Sequence, residues 1–251
     1  HLGATLSSVV ATRLRLSRSQ AVTLLGCGVA SAVAASFNAP IAGVFFALEV
    51  VIGHYALSAF APIVIAGVIG TTITRVYFGN FPAFIIPDHS LVSFWEFPAF
   101  GLLGVVSALA AIIFLRSISI ASNIADQIPV PNYLKTAGAG LLVGVIALGY
   151  PEILGVGYAA TDTALNGRYD LVILIALIAA KTAATAISLG GGFGGGVFSP
   201  SMFIGAMVGG AFGLIATQLF PDLSSGHSAY TLVGLGAVSG AVLGAPISTI
   251  L

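Results

Sequence analysis

Four long runs of apolar residues divide the chain, and each is long enough to cross a lipid bilayer as a helix. A helical span needs about 20 apolar residues, with a range of roughly 17 to 25. The runs are Leu57 to Thr74, Pro98 to Leu115, Leu171 to Leu189 and Val197 to Leu219. Segments of about ten residues that alternate between apolar and polar, as in a transmembrane barrel, do not occur in the sequence. The pattern predicts an all-α polytopic membrane protein.

The remaining apolar stretches are short or interrupted. Ala137 to Tyr150 is short for a span, and Val233 to Leu251 is broken by Ala245-Pro246. The stretches Ala21 to Ser36 and Ala39 to Val51 are interrupted by Asn38 between them and by Pro40 at the start of the second. Such pieces are typical of broken or re-entrant helices, which survive at membrane depth only where protein or a polar cavity surrounds them.

The amino-acid composition also indicates a membrane protein. Hydrophobic residues make up 58% of the 251 residues and charged residues 6%, whereas soluble domains carry about 25% charged residues. We therefore expect an integral, multi-pass protein with the lipid bilayer as a partner, in a membrane of the bacterial inner or plasma type. The net charge of zero gives no basic surface for nucleic acid. Arg13, Arg15 and Arg18 form the only cationic cluster, and by the positive-inside rule that loop is cytoplasmic.

The sequence contains no pattern of residues that indicates a metal site or an enzymatic centre. Cys27 is the single cysteine and the four histidines lie far apart, so no metal site or cofactor is expected. No acid pair or nucleophile–base set indicates an enzyme. The chain opens on His1 rather than Met and ends within an apolar pattern at Ile250-Leu251. We interpret residues 1–251 as one transmembrane domain that is incomplete at both ends.

Two distant segments, 1–44 and 203–250, resemble each other. His1-Leu2-Gly3-Ala4 matches Phe203-Ile204-Gly205-Ala206 at an offset of 202 residues, and the small-residue runs that follow end in Ala39-Pro40-Ile41 and Ala245-Pro246-Ile247, at an offset of 206. Chance similarity of small-residue sequences is the alternative. Duplicated halves with broken helices are common in transporters that bind a substrate near the membrane midplane. We predict that the two segments form similar helical units of opposite membrane orientation.

A glycine run between two apolar helices carries the candidate chemistry. It reads Gly190-Gly191-Gly192-Phe193-Gly194-Gly195-Gly196 and continues into Val197-Phe198-Ser199-Pro200. Glycines let a ligand approach the backbone closely, and Pro200 suits the first turn of the next helix. The amides of Val197 and Phe198 would then lie at the positive end of a helix and bind an anion without a cationic side chain. A flexible hinge without a ligand is the alternative.

Two segments resemble nucleotide-binding motifs but lack residues that those motifs require. Gly234-Leu235-Gly236-Ala237-Val238-Ser239-Gly240 resembles a dinucleotide-binding turn, but the soluble βαβ pattern and the acidic residue are missing. The triple-glycine run lacks the Gly-Lys-Ser/Thr of a P-loop.

These residues together resemble the CLC family of chloride channels and proton/chloride antiporters. Gly196-Val197-Phe198-Ser199-Pro200 looks like the family's Gly-x-Phe-x-Pro anion-binding motif. The stretch from Phe37 to Glu49 is similar to the segment that follows its glutamate-gate helix, and His1-Leu2-Gly3-Ala4 looks like the residues just after the gate motif Gly-x-Glu-Gly-Pro. Ala245-Pro246-Ile247 matches the corresponding segment of the second half.

The resemblance implies a CLC-like fold with inverted repeats, a homodimer, and one anion pathway per subunit. Its anion site would comprise Gly195, Gly196, Val197, Phe198, Ser199 and Pro200. The family's gating glutamate, pore serine and pore tyrosine would lie outside residues 1–251. The dimer interface would use helices that begin near Pro40, Leu57 and Pro246.

One position departs from the antiporters of the family. These commonly carry a second acid, the internal proton acceptor, immediately after the position of Glu49, and here that residue is Val50. Valine holds no proton, and Glu49 is turned about 100° away on the helix. We therefore favour channel-like chloride transport and a structural role for Glu49, paired at a helix end. Proton- or fluoride-coupled exchange is the alternative. An organic-anion carrier would need a cationic partner, and Lys181 is the only cation well inside a predicted span.

Overall fold

The computed structural model describes residues 2–55, 57–81, 84, 94–221 and 224–251, and His1 lies outside these ranges. The regular secondary structure of the described residues is helical, which confirms the all-α prediction. The α-helices are α1 (Leu2–Arg13), α2 (Arg18–Phe37), α3 (Pro40–Phe46), α4 (Leu57–Phe78), α5 (Phe97–Gln127), α6 (Asn132–Gly149), α7 (Tyr158–Leu165), α8 (Leu171–Gly190), α9 (Phe198–Leu219), α10 (His227–Leu243) and α11 (Pro246–Ile250). A π-helical turn, Ala47–Ile52, continues α3, and short 3₁₀ turns at Phe94–Glu96 and Pro151–Ile153 precede α5 and α7.

Six of the described helices are long and apolar enough to cross a membrane: α2, α4, α5, α6, α8 and α9. The four long runs predicted as spans are among them. Two further predictions were wrong in extent. The stretch Ala21 to Ser36 is part of a 20-residue helix, and the stretch Ala137 to Tyr150 belongs, up to Gly149, to an 18-residue helix that Tyr150 caps. In both cases polar residues that the apolar run excludes, such as Arg18 and Asn132, form the first helical turn. The chain is an integral, multi-pass membrane protein.

Both predicted helix breaks are confirmed. Asn38 ends α2 in the left-handed conformation, with φ 54°, and its side-chain oxygen accepts a hydrogen bond from Arg75 Nε at 2.7 Å. Gly244 ends the second run with φ 65°. Pro40 and Pro246 then occupy the first positions of α3 and α11, where proline lacks only a donor that a helix start leaves unused.

The chain forms two compact units. The first contains α1 to α4 together with α11, and α2 packs against α1 and α4 at its centre. Its core is a cluster of small and branched side chains, among them Ala30, Val44, Leu48 and Ile63.

The second unit contains α5 to α10, and α9 is the most deeply buried of its long helices. Every residue from 203 to 210 is buried. Helix α8 packs on α5, α6 and α9. The glycine run that joins α8 to α9 therefore starts and ends on helices fixed by packing.

The two segments that resemble each other in sequence share two features of local geometry. Gly3 of α1 contacts Gly28 of α2, and Gly205 of α9 contacts Gly234 of α10, so closely that a Cβ on any of the four would meet backbone atoms. The breaks also match, because Ala39 (φ −125°, ψ 82°) and Ala245 (φ −127°, ψ 66°) precede their prolines in nearly the same conformation. The opposite membrane orientation of the two segments stays a prediction.

Candidate functional site

The glycine run closes the end of α8 and then leaves the helical conformation. Gly191, Gly192 and Phe193 each donate a backbone hydrogen bond to a carbonyl in the last turn of α8, at 2.8 to 3.2 Å. Gly192 has φ 85°, a conformation that side-chain-bearing residues rarely adopt. Gly194, Gly195 and Gly196 follow without regular structure and are exposed. The first half of the run is thus fixed to α8, and the second half presents bare backbone.

Neighbouring helices hold this first half in place. A Cβ on Gly190 would lie 2.8 Å from the carbonyl carbon of Ala121 on α5, and one on Gly191 would meet the Cβ of Ala139 on α6. The hydroxyl of Thr136 donates to the carbonyl of Gly191 at 2.8 Å. Glycine is needed here for close approach between helices.

Helix α9 begins at Phe198, with Val197 as its N-cap residue, one residue later than the apolar pattern predicts. Pro200 is in the first turn, as predicted, and the first hydrogen bond of the helix runs from the amide of Ser201 to the carbonyl of Val197 at 3.0 Å. A helix start offers its first N–H groups to partners outside the helix, and the helix dipole places partial positive charge there. This end of α9 is therefore suited to an anion.

The serine hydroxyls in this first turn are directed to carbonyl groups. Ser199 Oγ donates to the carbonyl of Val156 at 2.7 Å, and Ser201 Oγ donates to that of Phe198 at 2.6 Å. The hydroxyl of Ser199 therefore ties α9 to the segment between the 3₁₀ turn and α7.

A cavity of about 230 Å³ lies beside the glycine run. Its lining residues come from α6, from residues 153–155, from α8, from the glycine run and from the first turn of α9: Val143, Ile153, Leu154, Gly155, Lys181, Ala184, Thr185, Ser188, Leu189, Phe193, Gly194, Gly195, Gly196 and Pro200. Of the six residues predicted to bind an anion, Gly195, Gly196 and Pro200 line this cavity. Val197, Phe198 and Ser199 are adjacent in the chain but do not line it.

Among the described residues that line this cavity, Lys181 is the one that carries a charge, and it is only 4% exposed. Its ammonium group donates to the carbonyls of Ile153 at 2.7 Å and Gly155 at 3.0 Å, and lies 5.0 Å from the centroid of the Phe203 ring. The sequence gives one signal for it, since a cation inside an apolar span is a functional candidate by default. Its contact with residues 153–155 has no sequence signal.

Glu49 lies in the other unit and caps a helix. Its carboxylate accepts hydrogen bonds from the amides of Ile247 at 3.1 Å and Ser248 at 2.9 Å, in the first turn of α11. Val50 is 43% exposed. Glu49 is thus paired at a helix end, as expected for a structural role, although no sequence pattern indicates which helix it caps.

Comparisons of the sequence with known proteins find relatives along almost the whole chain. A sequence model of the family described as "Voltage gated chloride channel" matches residues 1–251. A putative chloride channel protein, ClcB-like, from Ralstonia nicotianae is 31% identical over 249 residues, which cover 99% of this chain and 58% of that protein. An H(+)/Cl(-) exchange transporter, ClcA, from Vibrio cholerae is 31% identical over 235 residues, which cover 91% and 50% of the two chains.

Solved structures show the same fold. A slow cyanobacterial Cl⁻/H⁺ antiporter superposes with a TM-score of 0.87 at 22% identity, covering 99% of this chain and 59% of that one. A CLC-type fluoride/proton antiporter gives 0.80 at 21% identity, covering 99% and 61%. The chain thus spans a little over half the length of these relatives, and it belongs to the CLC family of voltage-gated chloride channels and their relatives.

Proposed function

We propose that the protein carries a small anion, with chloride as its main substrate, across the membrane along a pathway that includes the start of α9. The observation that carries the proposal is the exposed glycine backbone from Gly194 to Gly196, which leads into a helix N-terminus beside a cavity of about 230 Å³. Backbone N–H groups and a helix dipole attract an anion. They hold it less tightly than a direct cationic ligand would, and conduction requires that the ion also leave.

For the mode of transport, we propose channel-like movement without obligatory proton exchange. Val50 cannot carry a proton, and the neighbouring carboxylate of Glu49 is engaged by the amides of Ile247 and Ser248. A proton on Glu49 would weaken these two hydrogen bonds, because a neutral carboxyl group accepts from amides less strongly than a carboxylate does. Proton-coupled exchange is the second candidate, and the name of the ClcA relative as an H(+)/Cl(-) exchange transporter favours it.

The remaining parts of the proposal follow the family resemblance. We propose a homodimer with one anion pathway in each subunit, whose interface uses α3, α4 and α11. The substrate ion is the only small ligand that this function needs. Neither a cofactor nor enzymatic chemistry is part of the proposal.

The test is chloride efflux from vesicles that contain the purified protein, followed with a chloride electrode with and without an imposed pH gradient. We expect efflux down the chloride gradient, with a reversal potential that follows chloride alone. Uphill chloride movement at a fixed proton ratio would replace the channel-like mode with coupled exchange. The same assay with fluoride or a small carboxylate as the only permeant anion separates the other substrates, and efflux of none of these anions would refute anion transport.

A further inference from the structure

Lys181, whose side chain is buried, is one of the residues that line the cavity. Lys181 is near the middle of α8, the cavity is bounded by Ile153 to Gly155 on one side, and Gly194 to Gly196 with Pro200 contribute another part of the lining. Thr185 and Ser188 line the space one and two turns further along α8. A residue with a positive charge and part of the predicted anion-binding backbone therefore line the same cavity.

The groups that satisfy this ammonium are neutral. Two of its three N–H donors reach the carbonyls of Ile153 and Gly155, and the face of the Phe203 ring lies 5.0 Å away. Among the described residues, no carboxylate forms an ion pair with Lys181. Carbonyl dipoles and a ring face stabilise a buried cation but leave its net charge in place. The cavity is consequently bordered by a positive charge without a negative partner.

The volume is sufficient for an anion with part of its hydration shell. A water molecule occupies about 30 Å³ in the liquid, so a cavity of about 230 Å³ has room for a monatomic anion and several waters. The ammonium is held against the carbonyls of residues 153 and 155, so it can attract the anion through space without becoming a direct ligand. That arrangement raises the local anion concentration and keeps release fast.

We propose that Lys181 supplies the electrostatic attraction that concentrates the transported anion in the cavity beside Gly195 and Gly196. This inference rests on the proposed anion transport and assigns a positioning and selectivity role to a residue outside the glycine motif. A purely structural role, in which Lys181 only ties residues 153–155 to α8, is the competing explanation. The two roles differ in whether charge or hydrogen bonding is required.

Three substitutions separate charge from hydrogen bonding. Lys181→Met removes both, Lys181→Gln keeps N–H donors without a charge, and Lys181→Arg keeps both. Lys135→Met on α6, which lines a different cavity, removes a lysine charge elsewhere in the same unit and is the matched control. Chloride affinity is measured by titration calorimetry and flux by the vesicle assay, each on the purified protein, together with the melting temperature of every variant.

We expect the Met and Gln variants to bind chloride at least about tenfold more weakly, because a unit charge a few ångströms away changes ion binding by this order. The Lys135→Met control should stay within about threefold of the unaltered protein, the range of substitutions that touch nothing critical. The Arg variant keeps the charge and should bind chloride more tightly than the Gln variant. If Gln restores affinity as well as Arg does, hydrogen bonding is sufficient and the proposal is wrong. If Lys181→Met does not fold, the comparison of Gln with Arg decides. If the unaltered protein neither binds nor conducts chloride, the proposed anion transport is wrong. If the unaltered protein and the Lys181 variants all bind chloride equally well, only the proposed role of Lys181 is wrong.

Discussion

The N-termini of α9 and α11 share several local features, but among the described residues only the N-terminus of α11 binds a carboxylate from its own unit. Both follow a break in an apolar run and carry a proline in the first turn, and both have a serine whose hydroxyl donates to a carbonyl of the same turn. At α11, the carboxylate of Glu49 accepts the amides of Ile247 and Ser248. The sequence from Gly190 to Pro200 contains no acid. The start of α11 thus holds a permanent anion from its own chain, whereas the function proposed above assigns to the start of α9 an anion that comes and goes.

The first prediction tests this difference directly, by placing a carboxylate at the start of α9. Gly196→Asp places a carboxylate one residue before the N-cap, where an added Cβ meets nothing within 4 Å. We expect chloride affinity to fall by at least about a hundredfold, because two like charges 4 Å apart repel by about 4 kcal/mol at an effective dielectric constant of 20. Titration calorimetry in chloride-free buffer measures the change.

The control for this variant is Gly196→Asn, which has the same shape without the charge. It should bind chloride within about threefold of the unaltered protein. Equal binding by the Asp and Asn variants would show that the anion does not approach this end of α9.

The second prediction removes one donor from the same helix start. Val197 has φ −92°, whereas proline fixes φ at about −65°, so Val197→Pro requires a small backbone adjustment and its melting temperature is measured together with its chloride affinity. Hydrogen bonds to charged groups contribute about 1.5–3 kcal/mol, so we expect roughly 10- to 100-fold weaker chloride binding.

Val197→Ala, which keeps the N–H group, should bind normally and serves as the control. The melting temperature should also rise with added chloride in the Ala variant and much less in the Pro variant, since a ligand stabilises the state that binds it. A Pro variant with unchanged affinity would exclude the Val197 amide as a donor.

Much of the α9 start could be predicted from the sequence, because its signals are local. The glycine run, Pro200 and the flanking apolar stretches fix where one helix ends and the next begins, and the structure differs by a single residue. The breaks at Asn38-Ala39-Pro40 and Ala245-Pro246 were predictable for the same reason.

The long-range partners were not predictable. The contact of Lys181 with Ile153 and that of Ser199 with Val156 join residues far apart in the chain, as does the capping of α11 by Glu49. They depend on how helices pack, and packing of small apolar residues leaves no pairwise signal in one sequence. The extent of α2 and α6 was underestimated because polar first turns extend a helix beyond its apolar run.

The third prediction tests the N-terminus of α11, which binds the carboxylate of Glu49. Glu49→Ala leaves the amides of Ile247 and Ser248 without their carboxylate, and loss of a helix cap costs about 0.5–2 kcal/mol. We expect a lower melting temperature with chloride affinity unchanged within about twofold, since α11 carries the structural anion. Glu49→Gln keeps an acceptor oxygen and should recover part of the stability. Loss of transport in Glu49→Gln at normal stability would instead place Glu49 in the transport pathway.

The smallest expected effect concerns Ser199, whose side chain lies at the α9 start. Its hydroxyl donates to the carbonyl of Val156 at 2.7 Å, so its hydrogen is already committed, and the oxygen that remains would repel an anion. Ser199→Ala should therefore cost about 0.5–1.5 kcal/mol of unfolding free energy, the net value of one hydrogen bond, and leave chloride affinity within about twofold. Ser199→Thr, which keeps the hydroxyl, is the control and should retain the stability. Thermal melting and chloride titration of the two variants give both quantities. A tenfold loss of affinity in Ser199→Ala that Ser199→Thr restores would mean that the hydroxyl leaves Val156 to bind the ion, and the start of α9 would then use side chains as well as backbone.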